Sequence, residues 1–178
     1  MSEVEARAKS ESKTDNESGN REKKNKPKPA DTAALLKMSR VMTMEEIVSK
    51  LVKRHKTNCP FTIARTLGIH IQFHDLGTNT RGVYYRKLRR RLIVIHNQLS
   101  AEWQRFVCAH ELGHDRLHRG MSRFFLEEHS YFNPGKFERQ ANLFAVKLLT
   151  SFDEAQSGET SEQICARNGI PVEMHQFY

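Results

Sequence analysis

A chain of 178 residues with 38% hydrophobic side chains can enclose one real core, and is short for two domains. Its 29 Lys and Arg outnumber 21 Asp and Glu, a net charge of +8, but both signs are interspersed, so the charge alone does not make a nucleic-acid binder. Three cysteines (Cys59, Cys108 and Cys165), far apart and without CxxC spacing, exclude a disulfide framework and a cysteine zinc site.

Between Ser2 and Pro29 the only apolar side chains other than Gly and Pro are Val4, Ala6 and Ala8, and no aromatic residue precedes Phe61. Such a segment cannot bury enough surface to offset its ordering entropy. A disordered charged tail is therefore expected over residues 1–40, with the folded domain over 41–178. No apolar h-region or membrane-length run is present, which predicts a cytoplasmic protein with no membrane partner.

Thr43 with Glu46 reads as a capping box for a helix through Ile47, Val48, Leu51 and Val52. Pro60 opens a short helix over Phe61 to Leu67, closed by Gly68. Ile69 to His74 alternates strictly, predicting a strand with Ile69, Ile71 and Phe73 inward and His70 and His74 in solvent. Gly82–Tyr85 and Leu92–Ile95 predict a hairpin. The basic run Arg86-Lys87, Arg89-Arg90-Arg91 falls in its turn, where it is read as solvated. The sharper alternative is an electrostatic handle for an acidic or DNA-bound substrate.

Ser100 caps the next helix, in which Trp103, Phe106, Val107, His110, His114 and Leu117 recur on one stripe. Within it, His110-Glu111-Leu112-Gly113-His114 reads HExxH. Two imidazoles one helical turn apart can ligate one tetrahedral zinc, while the adjacent glutamate reaches a bound water without touching the metal. Cys108 reads as a small buried hydrophobe, and Asp115 as facing solvent or orienting an imidazole.

After a break at Asn133-Pro134-Gly135, a second patterned helix carries Phe137, Glu138, Ala141, Asn142, Phe144, Ala145, Leu148 and Leu149. A catalytic zinc takes three protein ligands and keeps one open position. Glu138 is the best candidate for the third, because its carboxylate precedes a face that must pack on the core. Glu127 and Glu128 remain the weaker alternatives. Thr160 or Ser161 starts a last helix, stopped at Asn168-Gly169.

Phe106 to His114, followed by Glu138-Arg139-Gln140-Ala141-Asn142-Leu143-Phe144-Ala145, resembles the ImmA/IrrE family of zinc metallopeptidases, as does the segment from Cys59 to Leu99. The resemblance spans roughly residues 43 to 149 and implies an α+β, minimal zincin-like domain. In it a small antiparallel sheet or hairpin packs on the HExxH helix and a second ligand-bearing helix. It makes His110, His114 and Glu138 the Zn2+ ligands and Glu111 the general base of an endopeptidase. It further implies cleavage of a helix-turn-helix repressor, derepressing a mobile genetic element. Two His and one carboxylate suit zinc, but manganese and iron as well. Tyr84, Tyr85 and His118, and more weakly Tyr131, are the candidate oxyanion donors. A non-catalytic anti-repressor binding module on the same fold is the alternative. Direct nucleic-acid binding is not expected, for want of a helix-turn-helix, finger or aromatic-basic motif. One departure from the family, Thr150-Ser151-Phe152 where Met-Pro is common, bears on how the second helix ends.

Overall fold

The computed structural model describes residues 42–118 and 134–178; the expected tail and Glu127, Glu128 and Tyr131 lie outside the described residues. Helix α1 (Met44–His55) begins at the expected capping box, in which the Thr43 and Glu46 side chains each accept from the other's backbone N–H. It buries Val48, Leu51 and Val52 and stops at Lys56, which takes the left-handed conformation at φ 53°. Helix α2 (Pro60–Thr66) has Pro60 in its first turn and buries Ile63 and Ala64. Gly68 at φ 70° then reverses the chain, and the Ile69 N–H donates to the Ala64 carbonyl at 2.9 Å.

Three strands follow: β1 (His70–His74), β2 (Gly82–Lys87) and β3 (Arg90–His96). Their order is β1-β3-β2, with β3 antiparallel to β2 and parallel to β1. The sheet is thus mixed where an antiparallel one was expected. Residues 75–81 carry the chain from the end of β1 past β3, so that β2 rather than β1 returns as its hairpin partner. The inward face carries Tyr84, Ile93 and Ile95, all buried. Ile69 just before β1 is also buried, but Phe73 at its far end is 44% exposed, against the expected inward placement. β1 is an edge strand, and the Phe73 ring lies 6.4 Å from that of Phe61.

The hairpin strands run two residues further towards the turn than their apolar residues indicate. Lys87 pairs with Arg90 and Arg86 with Arg91, which leaves Leu88 and Arg89 as the turn. Leu88 sits at φ 55° and is 90% exposed, a conformation that Asn or Gly adopts more easily.

Helix α3 (Ala101–Leu117) is capped by Ser100 Oγ, which accepts from the Trp103 N–H. It lies between the sheet and helix α4 (Pro134–Leu149), and glycine permits both contacts. A Cβ on Gly82 of β2 would fall 2.3 Å from Val107 Cγ1 and 2.9 Å from Glu111 Oε1. A Cβ on Gly113 would fall 3.0 Å from the Phe144 ring and 3.3 Å from the Ala141 backbone of α4. Ala141, Phe144, Ala145, Leu148 and Leu149 complete the core from the other side.

The departure at Thr150-Ser151 proves to be a polar helix end. Thr150 Oγ1 and Ser151 Oγ donate to the carbonyls of Val146 and Leu148, and Asn58 Nδ2 donates to that of Leu149. Three of the carbonyls that a helix end leaves orphaned are thereby satisfied. Helix α5 (Ser161–Arg167) has a second capping box, Thr160 with Gln163, and buries Ile164 and Cys165. A 3-10 turn over Val172–Phe177 follows.

Candidate metal centre

One turn of α3 separates His110 from His114, so their rings stack along the helix with centroids 4.8 Å apart. The two Nε2 atoms lie 3.1 Å from each other. From α4, Glu138 Oε2 stands 3.1 Å from His110 Nε2 and Oε1 stands 3.4 Å from His114 Nε2. The close approach of α3 and α4 at Gly113 and Ala141 brings the carboxylate this near. One potential ligand atom from each of the three residues falls within 4.8 Å of the others, the only such group of three or more His, Cys, Asp or Glu among the described residues. The His110 and His114 rings beside it hold the Glu138 carboxyl well below the usual carboxylate range, with burial opposing. Burial works against a charge on His110, but Glu138 and Glu111 outweigh it and raise its pKa.

The far sides of both rings are also held. His110 Nδ1 meets Asn142 Oδ1 at 2.8 Å. Asn142 stands four residues after Glu138, so one face of α4 addresses both nitrogens of His110. His114 Nδ1 meets His118 Nδ1 at 3.1 Å, and His118 Nε2 meets Gln140 Oε1 at 3.0 Å. His118 is buried against the edge of the Phe137 ring, and that burial lowers its pKa. The expectation that His118 supplies an oxyanion donor meets a different geometry. Both of its ring nitrogens have partners, His114 Nδ1 and Gln140 Oε1.

Tyr84 is engaged too. Its hydroxyl donates to Asp115 Oδ1 at 2.6 Å, and burial together with that carboxylate raises its pKa. Its single proton goes to this buried carboxylate. Tyr85 points to the opposite face of the sheet and is 44% exposed. Asp115, read from the sequence as facing solvent or orienting an imidazole, is 2% exposed and does neither. It accepts from Tyr84, from Arg91 Nη1 at 3.3 Å and from Arg116 Nε at 2.7 Å. Arg91 belongs to the basic run, yet its guanidinium turns inward to Asp115 and to the Leu67 carbonyl.

Glu111, the motif glutamate, is buried at the start of β2, where Gly82 leaves room for its carboxylate. Cys108 is fully buried, and burial pushes its thiol up. His70 and His74 are exposed on β1, apart from the cluster. Sequence reasoning missed Gln140 and Asn142 as imidazole partners. The four-residue step from Glu138 to Asn142 was the available signal.

Residues 64–157 match the Peptidase_M78 family, described as an IrrE N-terminal-like domain. Over 131 residues the chain is 34% identical to the uncharacterized immunity region protein 2 of Bacillus phage phi105, covering 71% of this chain and 83% of that one. Over 130 residues it is 33% identical to metallopeptidase ImmA of Bacillus subtilis (strain 168), covering 70% and 76%. With that identity along most of both relatives and a family match that begins in α2 and runs past α4, the chain belongs to the ImmA/IrrE family.

Proposed function

We propose that the chain is a zinc-dependent endopeptidase of the HExxH type, with His110, His114 and Glu138 as ligands and Glu111 as general base. One observation carries the reading. The Nε2 atoms of His110 and His114 and the Glu138 carboxylate converge within 4.8 Å of one another, and each ring is held from behind at Nδ1. A shared cation satisfies that set, and nitrogen with carboxylate oxygen suits zinc.

A bound zinc ion supplies Lewis acidity to the peptide carbonyl and to the attacking water. The chain's own residues do the rest. His110 and His114 orient the ion, and their Nδ1 contacts keep the rings from turning. Glu111 takes a proton on its carboxylate as water attacks, then returns it to the departing amine nitrogen. Burial of Glu111 between α3 and β2 restricts its rotamers and excludes bulk water from one side.

The substrate we infer is a helix-turn-helix repressor of a mobile element, whose cleavage ends repression. The resemblance implies it, and a relative named for a phage immunity region supports it. Purified chain mixed at substoichiometric ratio with the repressor encoded beside it should cut at one site. Chelation should stop the cleavage and zinc should restore it. Stoichiometric binding without cleavage would instead make this a binding module.

A further inference from the structure

The contacts behind His114 have a direction. A neutral imidazole carries one ring proton, and the Nδ1 to Nδ1 contact between His114 and His118 needs one donor. Only two arrangements satisfy the whole run from Gln140 to His114. In the first, Gln140 Oε1 accepts from His118 Nε2–H, His118 Nδ1 accepts from His114 Nδ1–H, and His114 Nε2 keeps its lone pair. In the second, the Gln140 amide is turned, its NH2 donates to His118, and each proton moves along one place. His114 Nε2 then bears a hydrogen and points it at Glu138 Oε1, 3.4 Å away.

Gln140 Oε1 lies 3.0 Å from His118 Nε2, the placement that the first arrangement requires. We propose that Gln140 and His118 are positioning residues that set the tautomer of His114 and so free its Nε2 to ligate. His110 has the shorter version, a single contact with Asn142 Oδ1 at 2.8 Å. The two ligands thus differ. The tautomer of His110 is fixed by one side chain of α4, whereas that of His114 is fixed through an intermediate ring that could run either way. His118 is buried at the C-cap of α3 with its ring against the Phe137 edge, and Gln140 is the partner at its far nitrogen, where the direction is set.

The role rests on the metallopeptidase reading, but its first test does not. Two-bond 1H–15N correlation spectra of the full chain, stripped of metal, report which nitrogen of each histidine is protonated. His114 should show Nδ1–H and His118 Nε2–H. Gln140→Glu keeps an acceptor and should preserve both tautomers, whereas Gln140→Leu should mix them. Zinc affinity, measured by competition with a chromogenic chelator, should fall roughly 10- to 100-fold in Gln140→Leu and be retained in Gln140→Glu. His114 protonated at Nε2 in the native metal-free chain would overturn the proposal. So would a Gln140→Leu variant with native tautomers and native zinc affinity. Expected tautomers in a chain that binds no zinc would leave the direction of the contacts standing and remove the metallopeptidase reading. A Gln140→Leu that fails to fold leaves the native spectrum and Gln140→Glu to decide.

Discussion

Helix α3 starts two polar clusters from consecutive buried residues, His114 and Asp115. His114 turns to α4 and joins His110 and Glu138, while Asp115, about 100° further around the helix, turns to the sheet and joins Tyr84 and Arg91. The Asp115 cluster is complete: one carboxylate, one hydroxyl proton and two guanidinium groups satisfy one another. The His114 cluster meets Asn142, His118 and Gln140 at its outer edge and brings two ring nitrogens and a carboxylate together on its inner side. A self-satisfied cluster fixes the sheet on the helix; a cluster that lacks a cation invites one. His114 and Asp115 are both buried, so the balance of donors and acceptors around them is what separates the two clusters.

The largest effect should come from Glu111→Gln. General acid–base contributions are of the order of 10²- to 10⁴-fold, so peptide cleavage should drop by about that factor. Zinc content, measured by plasma mass spectrometry, should stay at that of the native chain. Loss of metal together with activity would show that Glu111 supports the ligand cluster rather than the proton transfer. The Asp115 cluster should respond in the opposite sense. Asp115→Ala leaves Tyr84 and Arg91 without their buried partner, and breaking such a pair costs about 3–5 kcal/mol. Urea titration should register that loss. Zinc content per folded molecule should be unchanged, and a parallel loss of zinc would show that the two clusters are coupled.

How far each cluster could be read from the sequence follows from the distances involved. His110 and His114 are local, four residues apart on a patterned helix, and Glu138 lies on the next patterned helix, so the grouping of these three residues was legible. The capping boxes at Thr43 and Thr160 were legible for the same reason. Asp115 was not, because the groups that bury it, Tyr84 and Arg91, come from strands 31 and 24 residues away. Arg91 looked like part of a solvated basic turn, since nothing local marks the one arginine of the run that turns inward. The parallel pairing of β1 with β3 escaped for a related reason: turn residues encode neighbouring strands, and these two are joined only through the rest of the sheet.

Gly82 joins the two halves of the comparison, being on the strand of Tyr84 and against the carboxylate of Glu111. Gly82→Ala places a methyl 2.3 Å from Val107 Cγ1 and 2.9 Å from Glu111 Oε1, so strand and helix must separate or the side chains must move. Overpacking of this kind costs about 1–3 kcal/mol. Cleavage should fall more than stability does, because the displaced group includes the proposed base. A thermal shift with unchanged kcat would mean that Val107 alone absorbs the methyl.

The smallest effect is also the most discriminating. Burial works to raise the Asp115 pKa, but the Tyr84 hydroxyl and the guanidinium groups of Arg116 and Arg91 outweigh it and hold the carboxyl below its ordinary value. A carboxyl whose pKa is lower folded than unfolded stabilises the fold fully above its unfolded value, about 3.9, and loses that stabilisation as pH falls through the folded one. The stability difference between the native chain and Asp115→Asn should therefore be widest near neutrality and narrow below about pH 4. Protonation of His110 and Glu138 in metal-free protein affects both variants alike and cancels from the difference. Urea titrations from pH 7 to pH 3 would measure it. A difference that stays constant across that range would mean that Asp115 acts through the shape of its hydrogen bonds and not through its charge. The Asp115 cluster would then owe its completeness to donors alone, and charge balance would no longer distinguish it from the cluster around His114.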